Sequence, residues 1–230
     1  MRPGDYWRMF RSGGARLPVA FFREVHGYDL RHGTRTAEIV QVADFDVPPE
    51  SRRGSVLYMA SWSCTIEWTY ASVRRIFGDG FPDLTVVDVG CGKGKFLLVW
   101  ADELAQDGLT QRVIGVDYSS TFTQLARRNL ARRGHDRIEV THLDASRIRS
   151  CDLGDNLLLY LYNPFAEETL TTILRNLGNS VSAVAYCNPV HDRAVRDTGF
   201  EVVDQREGWH PNLRVNLYVR RDVHRNPALL

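Results

Sequence analysis

The residues best suited to chemistry lie between Val86 and Trp100, in VVDVGCGKGKFLLVW. Gly90, Gly92 and Gly94 alternate with Cys91 and Lys93, and Asp88 stands two residues before the first glycine. Glycine admits positive φ and lacks the Cβ that would hold a ligand off the backbone. The β-branched run before the turn reads as a buried strand and the run after it as a helix. A turn so placed sits where α/β sheets bind ligands.

The spacing narrows the ligand. A dinucleotide fingerprint, G-x-G-x-x-G, would need its third glycine at Lys95, and the P-loop pattern fails because no Ser or Thr follows the lysines. Asp88 would repel a phosphate, yet it can hold an ammonium group directly or through water. A nucleoside with a cationic amino-acid end and no phosphate fits, and S-adenosylmethionine is such a molecule. The same glycines also suit a tight turn made for packing alone.

Two further acids fall at strand ends. Asp117 closes RVIGVD, where a carboxylate can accept both hydroxyls of a ribose. Asp117 could instead cap the next helix, but Ser119 and Ser120 are there for that task. Asp144 closes the next strand in HLDAS, where it can accept the adenine amino hydrogens while the amide of Ala145 meets a ring nitrogen. A solvent-facing strand end is the other reading of Asp144.

With VVDVGCGKG, VIGVD, HLDA and LYLYNPF in view, the chain resembles the class I S-adenosylmethionine-dependent methyltransferases. The resemblance implies a Rossmann-like α/β fold. Its seven-stranded, mostly parallel sheet ends in an antiparallel hairpin and has helices on both faces. It also implies that Asp88, Gly90, Cys91, Gly92 and Gly94 hold the methionyl end, Asp117 with Tyr118 the ribose, and Asp144 with Ala145 the adenine. EVHGYDLRHGTRTAEIV and YLYNPF are similar to a bacterial group of small methyltransferases whose acceptors are mostly unassigned. Asn163-Pro164-Phe165 resembles the Asn-Pro-Pro-aromatic motif of enzymes acting on planar nitrogens, without the second Pro. There Asn163 would contact both cofactor and acceptor, with Pro164 and Phe165 beside the acceptor.

Other candidates stand alone. His32 and His210 are possible bases, and Arg31 and Arg35 could bind an acceptor carboxylate. Tyr58, in YMASW, could line the cofactor or acceptor pocket, or be a core aromatic. No metal site is expected, because Cys64, Cys91, Cys151 and Cys187 are far apart with no CxxC pair.

These residues need elements to position them. Ile66, Tyr70, Val73 and Phe77 predict a helix over Ser61 to Phe77. Strands are expected at Leu84–Gly90, Arg112–Asp117, Arg137–Asp144, Asn156–Asn163 and Val181–Asn188. Helices are expected at Lys93–Leu104, Thr121–Arg133, Glu167–Leu177 and His191–Thr198. Thr121 and Gln124 resemble a capping box. Phe200–Gly208 and Leu213–Arg221 follow each other with no helix between, so they should pair antiparallel. Residues 1–60 have weak periodicity and read as a cap or lid over a methyltransferase domain at 61–230.

Composition sets the outer bounds. The chain has 230 residues, 43% hydrophobic, with 29 basic and 28 acidic residues for a net charge of +1. That balance makes a nucleic-acid partner unlikely. No run reaches the ~20 apolar residues of a span, so no membrane partner and a cytoplasmic location are expected. The leading expectation is methylation of N or O of a small metabolite, leaving S-adenosylhomocysteine. A peptide or protein acceptor, a nicotinamide-dependent oxidoreductase and a non-catalytic binding module are the alternatives.

Overall fold

The computed structural model describes residues 3–47, 58–162 and 165–221. Three helices come first, α1 (Pro3–Gly13), α2 (Arg16–Phe21) and α3 (Gly27–His32), and a π-turn over Phe22–His26 joins the last two. Two short strands, β1 (Ile39–Val40) and β2 (Tyr58–Met59), pair antiparallel, and α4 (Ser63–Phe77) follows. Alternation then sets in with β3 (Thr85–Val89), α5 (Lys95–Gln106), β4 (Val113–Asp117), α6 (Ser120–Arg132) and β5 (Glu139–His142). It continues through α7 (Ser150–Leu153), β6 (Leu157–Tyr162), α8 (Glu167–Leu177), β7 (Val181–Cys187) and α9 (Asp192–Asp197). The hairpin β8 (Phe200–Arg206) and β9 (Val215–Arg220) ends the fold.

The large sheet has seven strands in the order β5-β4-β3-β6-β7-β9-β8. Five neighbours run parallel, and β9 alone is reversed, antiparallel to both β7 and β8. The chain leaves β3 toward β4 on one side and returns to β6 on the other. The tip of β3 is thus the switch point where such sheets open a crevice.

Strand sequence explains the layering. Leu157, Leu159 and Leu161 of β6 pack with α8, while Leu158 and Tyr160 point to the opposite face with Phe96 and Trp100 of α5. A strand buried on both faces must be apolar throughout, as β6 is. Ile66, Tyr70, Val73 and Phe77 share the buried face of α4, as their spacing predicts. The capping box at Thr121 is not the one used. Ser119 is the N-cap of α6, and its Oγ accepts the Phe122 amide at 3.1 Å.

The weak periodicity expected of the N-terminal region gives way to helices. Leu17, Phe21, Val25 and Tyr28 fall four, four and three residues apart and face inward, across the π-turn. Asp29 then turns the chain. Its carboxylate accepts the hydroxyls of Thr34 (2.6 Å) and Thr36 (2.9 Å) and the amides of Thr36 (2.7 Å) and Ala37 (2.6 Å). Thr36 is fully buried, so no water can replace the lost acceptor. Asp29→Ala should lower stability by about 3 kcal/mol. Urea denaturation should show a lower midpoint with an unchanged slope, and Asp29→Asn, which keeps one acceptor oxygen, should fall between.

Candidate cofactor and active site

The glycine turn is built as its sequence requires. Gly90, Gly92 and Gly94 have φ of 85°, 51° and 82°, where a side chain would be strained. A Cβ on Gly92 would lie 2.2 Å from the Tyr58 ring, and one on Gly94 would lie 3.1 Å from Ala126 Cβ. The turn is bolted to β4, because the amides of Gly90 and Cys91 both donate to Val116 O at 2.8 and 2.9 Å. Cys91 contributes its backbone here. Its Sγ is buried and faces Gly115, where a Cβ would sit 3.0 Å away, so the thiol does not face the crevice.

Asp88 and Asp117 stand at adjacent strand tips, and both are buried. Asp117 Oδ2 accepts the Gly92 amide and Oδ1 the Ser119 amide, each at 2.8 Å. Burial pushes its carboxyl up to about 6, against the pull of those two bonds. Each oxygen retains a lone pair, so the group can still accept a diol. Asp88 differs. No hydrogen-bond donor or cation faces its carboxylate among the described residues, and burial, then the nearby Asp117 charge, drive its carboxyl well above the usual range. A buried acid of this kind is the counterpart of a ligand cation.

The third acid is more open. Asp144 is exposed, and its Oδ1 accepts the amide (2.9 Å) and hydroxyl (2.8 Å) of Ser146, capping a 3-10 turn. Its Oδ2 remains for a ligand. Ala145 is buried at the first position of that turn, where its N–H has no acceptor within the helix. Tyr118 packs edge-on to Phe45, and its carbonyl oxygen lies 2.9 Å from His142 Nε2.

The N-terminal segment covers these tips. Asp46 accepts from the hydroxyls of Ser119 and Ser120 and from the Thr121 amide (2.9 Å). Its own desolvation opposes ionisation, yet those bonds hold it well below the usual carboxylate range. Phe45 lies buried against Tyr118 and Phe122. Tyr58 packs at a tilt against Phe122, 4.9 Å between ring centres, and donates its hydroxyl to Thr36 O at 2.9 Å. Asn129 of α6 joins both sides, accepting from the Arg35 amide and donating to Lys93 O, each at 3.0 Å.

Both lysines of the turn also reach this segment. Lys93 pairs with Glu38. Lys95 is 2% exposed, donates to Glu24 O at 3.3 Å and lies 3.1 Å from the centre of the Tyr28 ring. The sequence contained the signal, two lysines inside a glycine turn, but their partners are more than 50 residues upstream (93 − 38 and 95 − 28).

Other candidates are placed elsewhere. His32 packs at a tilt on Tyr28, 4.3 Å between ring centres, and, with Arg31, lines a cavity of about 760 Å³ beside Glu67, Asp102 and Glu103. Asp102 is eight residues beyond Gly94, about two helical turns from the crevice, so His32 and Arg31 are not brought to the strand tips. Arg35 is exposed, and its backbone makes the contacts with Asn129. His210 does lie on the strand-tip side, in the β8–β9 loop, but it stacks on Trp62 at 5.1 Å and accepts the Asn212 amide through Nδ1. Its neutral ring therefore carries the proton on Nε2, which makes it a donor and not a base. The Phe165 ring packs toward the α8 face of the sheet. Asn163 and Pro164 lie outside the described residues.

The buried ammonium of Lys95 has a pH signature. Burial lowers it to about 7, with Asp29 and Glu24 opposing. Between pH 7 and the unfolded value near 10.4 the unfolded chain binds the proton and the folded chain does not, so stability rises with pH. Lys95→Met should remove that rise, a difference of up to about 2 kcal/mol between pH 7 and pH 9 by chemical denaturation.

Residues 86–180 match the family profile described as a methyltransferase domain. No curated protein matches the sequence. Among solved structures, magnesium protoporphyrin IX methyltransferase from Synechocystis PCC 6803, with SAM bound, is similar at a TM-score of 0.52 and 15% identity. That similarity covers 88% of this chain and 95% of that one. TrmN from Thermus thermophilus scores 0.49 at 19% identity, over 66% of this chain and 48% of TrmN. An rRNA methylase from Streptococcus thermophilus scores 0.48 at 12% identity, over 67% and 93% of the two chains. At such identities the likeness is one of fold, and it rests on the first. Residues 86–180 therefore carry a methyltransferase-domain signature, in a chain whose fold is that of a SAM-bound methyltransferase.

Proposed function

We propose that the chain methylates N or O of a small acceptor and that the strand-tip acids hold the donor. The cofactor supplies a methyl group already activated by its sulfonium, which passes to the acceptor by in-line displacement and leaves S-adenosylhomocysteine. Asp88 takes the ammonium of the methionyl end, with the backbone of Gly90, Cys91, Gly92 and Gly94 alongside. Asp117 accepts the ribose hydroxyls beside Tyr118, and Asp144 Oδ2 with the Ala145 amide meets the adenine. The observation that carries the donor assignment is the buried Asp88 carboxylate with no cation facing it among the described residues.

The small acceptor rests on enclosure. Asp46, Phe45 and Tyr58 hold residues 37–47 and 58–59 against the tips of β3 and β4, which leaves less room for a folded protein than for a metabolite. Within this reading residues 1–60 act as a lid, and Asn163 and Pro164 flank the acceptor. The protein aligns the acceptor and excludes water, which can contribute roughly 7–11 kcal/mol. An amine acceptor reacts as the neutral base. Its proton leaves to solvent, because neither His32 nor His210 is placed to take it.

S-adenosylhomocysteine should raise the melting temperature while NAD does not, and the reverse result would overturn the donor. Asp88 gives a sharper reading. Burial raises its carboxyl well above the usual range, and an ammonium brought against it favours the ionised form. Binding of S-adenosylhomocysteine should therefore be accompanied by proton release, read by calorimetry in buffers of different ionisation enthalpy. Asp88→Asn should abolish the release, and an unchanged release would remove Asp88 from the site. Asp117→Ala should weaken binding roughly 10²-fold. For the acceptor, labelled S-adenosylmethionine should mark a small molecule from a metabolite pool, and label found only in protein would overturn the small acceptor.

A further inference from the structure

The surface of the N-terminal helices is unlike the rest of the molecule. Seven large apolar side chains are exposed among the described residues, and five of them are Trp7, Phe10, Val19, Phe22 and Leu30. Trp7 and Phe10 stack at 5.7 Å on the outer side of α1, while Tyr6 and Met9 take the inner side. Val19, Phe22 and Leu30 follow along the outside of α2, the π-turn and α3. Trp209, a sixth exposed residue, adjoins this face through Arg16, which lies 4.4 Å from its ring. Exposed apolar groups gathered this way mark an interaction surface.

Charge says what the surface meets. Arg8, Arg11 and Arg16 are exposed on α1 and α2, while Arg23 and Arg31 line the cavity beside Glu67, Asp102 and Glu103. The three acids of the same stretch are not exposed. Asp5 is half-buried and pairs with Arg8, Glu24 is buried and pairs with Arg23, and Asp29 turns inward to Thr34 and Thr36. A chain of net charge +1 thus presents a local face that is cationic and apolar together. A second copy would set Arg8, Arg11 and Arg16 against their own counterparts. A nucleic acid would stack on Trp7 and Phe10 but gain nothing from Val19 and Leu30.

We infer that α1 to α3 dock peripherally on an anionic lipid surface, with the apolar side chains in the headgroup boundary and the arginines on lipid phosphates. Tryptophan and phenylalanine with interspersed arginine are the composition that binds there. The contact is peripheral, since no helix among the described residues is long and apolar enough to cross a membrane. It would bring the crevice, whose cover is continuous with these helices, close to the bilayer.

The test is cosedimentation of the full chain with vesicles of equimolar phosphatidylglycerol and phosphatidylcholine, against phosphatidylcholine alone. The protein should bind the anionic vesicles, and salt should weaken the binding. Arg8→Gln with Arg11→Gln should weaken it about thirtyfold, and Trp7→Ser with Phe10→Ser at least tenfold. Both double variants should keep the thermal shift with S-adenosylhomocysteine, which separates lost docking from lost fold or lost cofactor binding. Equal binding to both vesicles, binding that neither double variant changes, or retention on single-stranded RNA or as a dimer without vesicle binding would each overturn the inference.

Discussion

One buried carboxylate holds the site together. Asp117 ends β4, yet it accepts an amide from the glycine turn after β3 and another from the start of α6. The two strands meant to flank a ligand are thereby fixed to each other at their tips. The arrangement costs desolvation, visible in the raised carboxyl, and two backbone bonds offset only part of it. In the proposed complex a ligand diol would complete the group's hydrogen bonding. The same residue therefore shapes the turn and receives the ribose in the proposed complex.

The second constraint is the cover. The turn's two lysines face away from the sheet and into the N-terminal segment, where Glu38, Glu24 O and the Tyr28 ring receive them. Asn129 and Asp46 tie the same segment to α6. Cover and cofactor loop thus share contacts, so a change in one shifts the other. The glycines serve both sides: Gly92 lacks a Cβ where the Tyr58 ring sits, and Gly94 lacks one where α6 approaches.

The sheet was legible in the sequence because buried parallel strands are short, apolar and β-branched, and the hairpin because two such runs came in succession. Boundaries moved by at most two residues. The N-terminal helices were harder to read. The inward face of Leu17, Phe21, Val25 and Tyr28 is interrupted by a π-turn, and its neighbours are exposed aromatics that blur the pattern. Isolated histidines and arginines were the weakest guide. Nothing local separates a base at a crevice from a ring packed on Tyr28 or Trp62.

The sequence by itself determined the strand–helix alternation, the backbone geometry of the glycine turn and the placing of acids at strand tips. These are local matters, fixed by side-chain type, φ preference and spacing. Only the tertiary structure decided that Asp88 has no cation facing it among the described residues while Asp117 carries two amides. It also decided that Lys93 and Lys95 point into the cover and that His32 sits two helical turns from the crevice. Those outcomes depend on which distant segments pack together, and burial, which sets the charge of every one of these groups, is a property of the packed molecule.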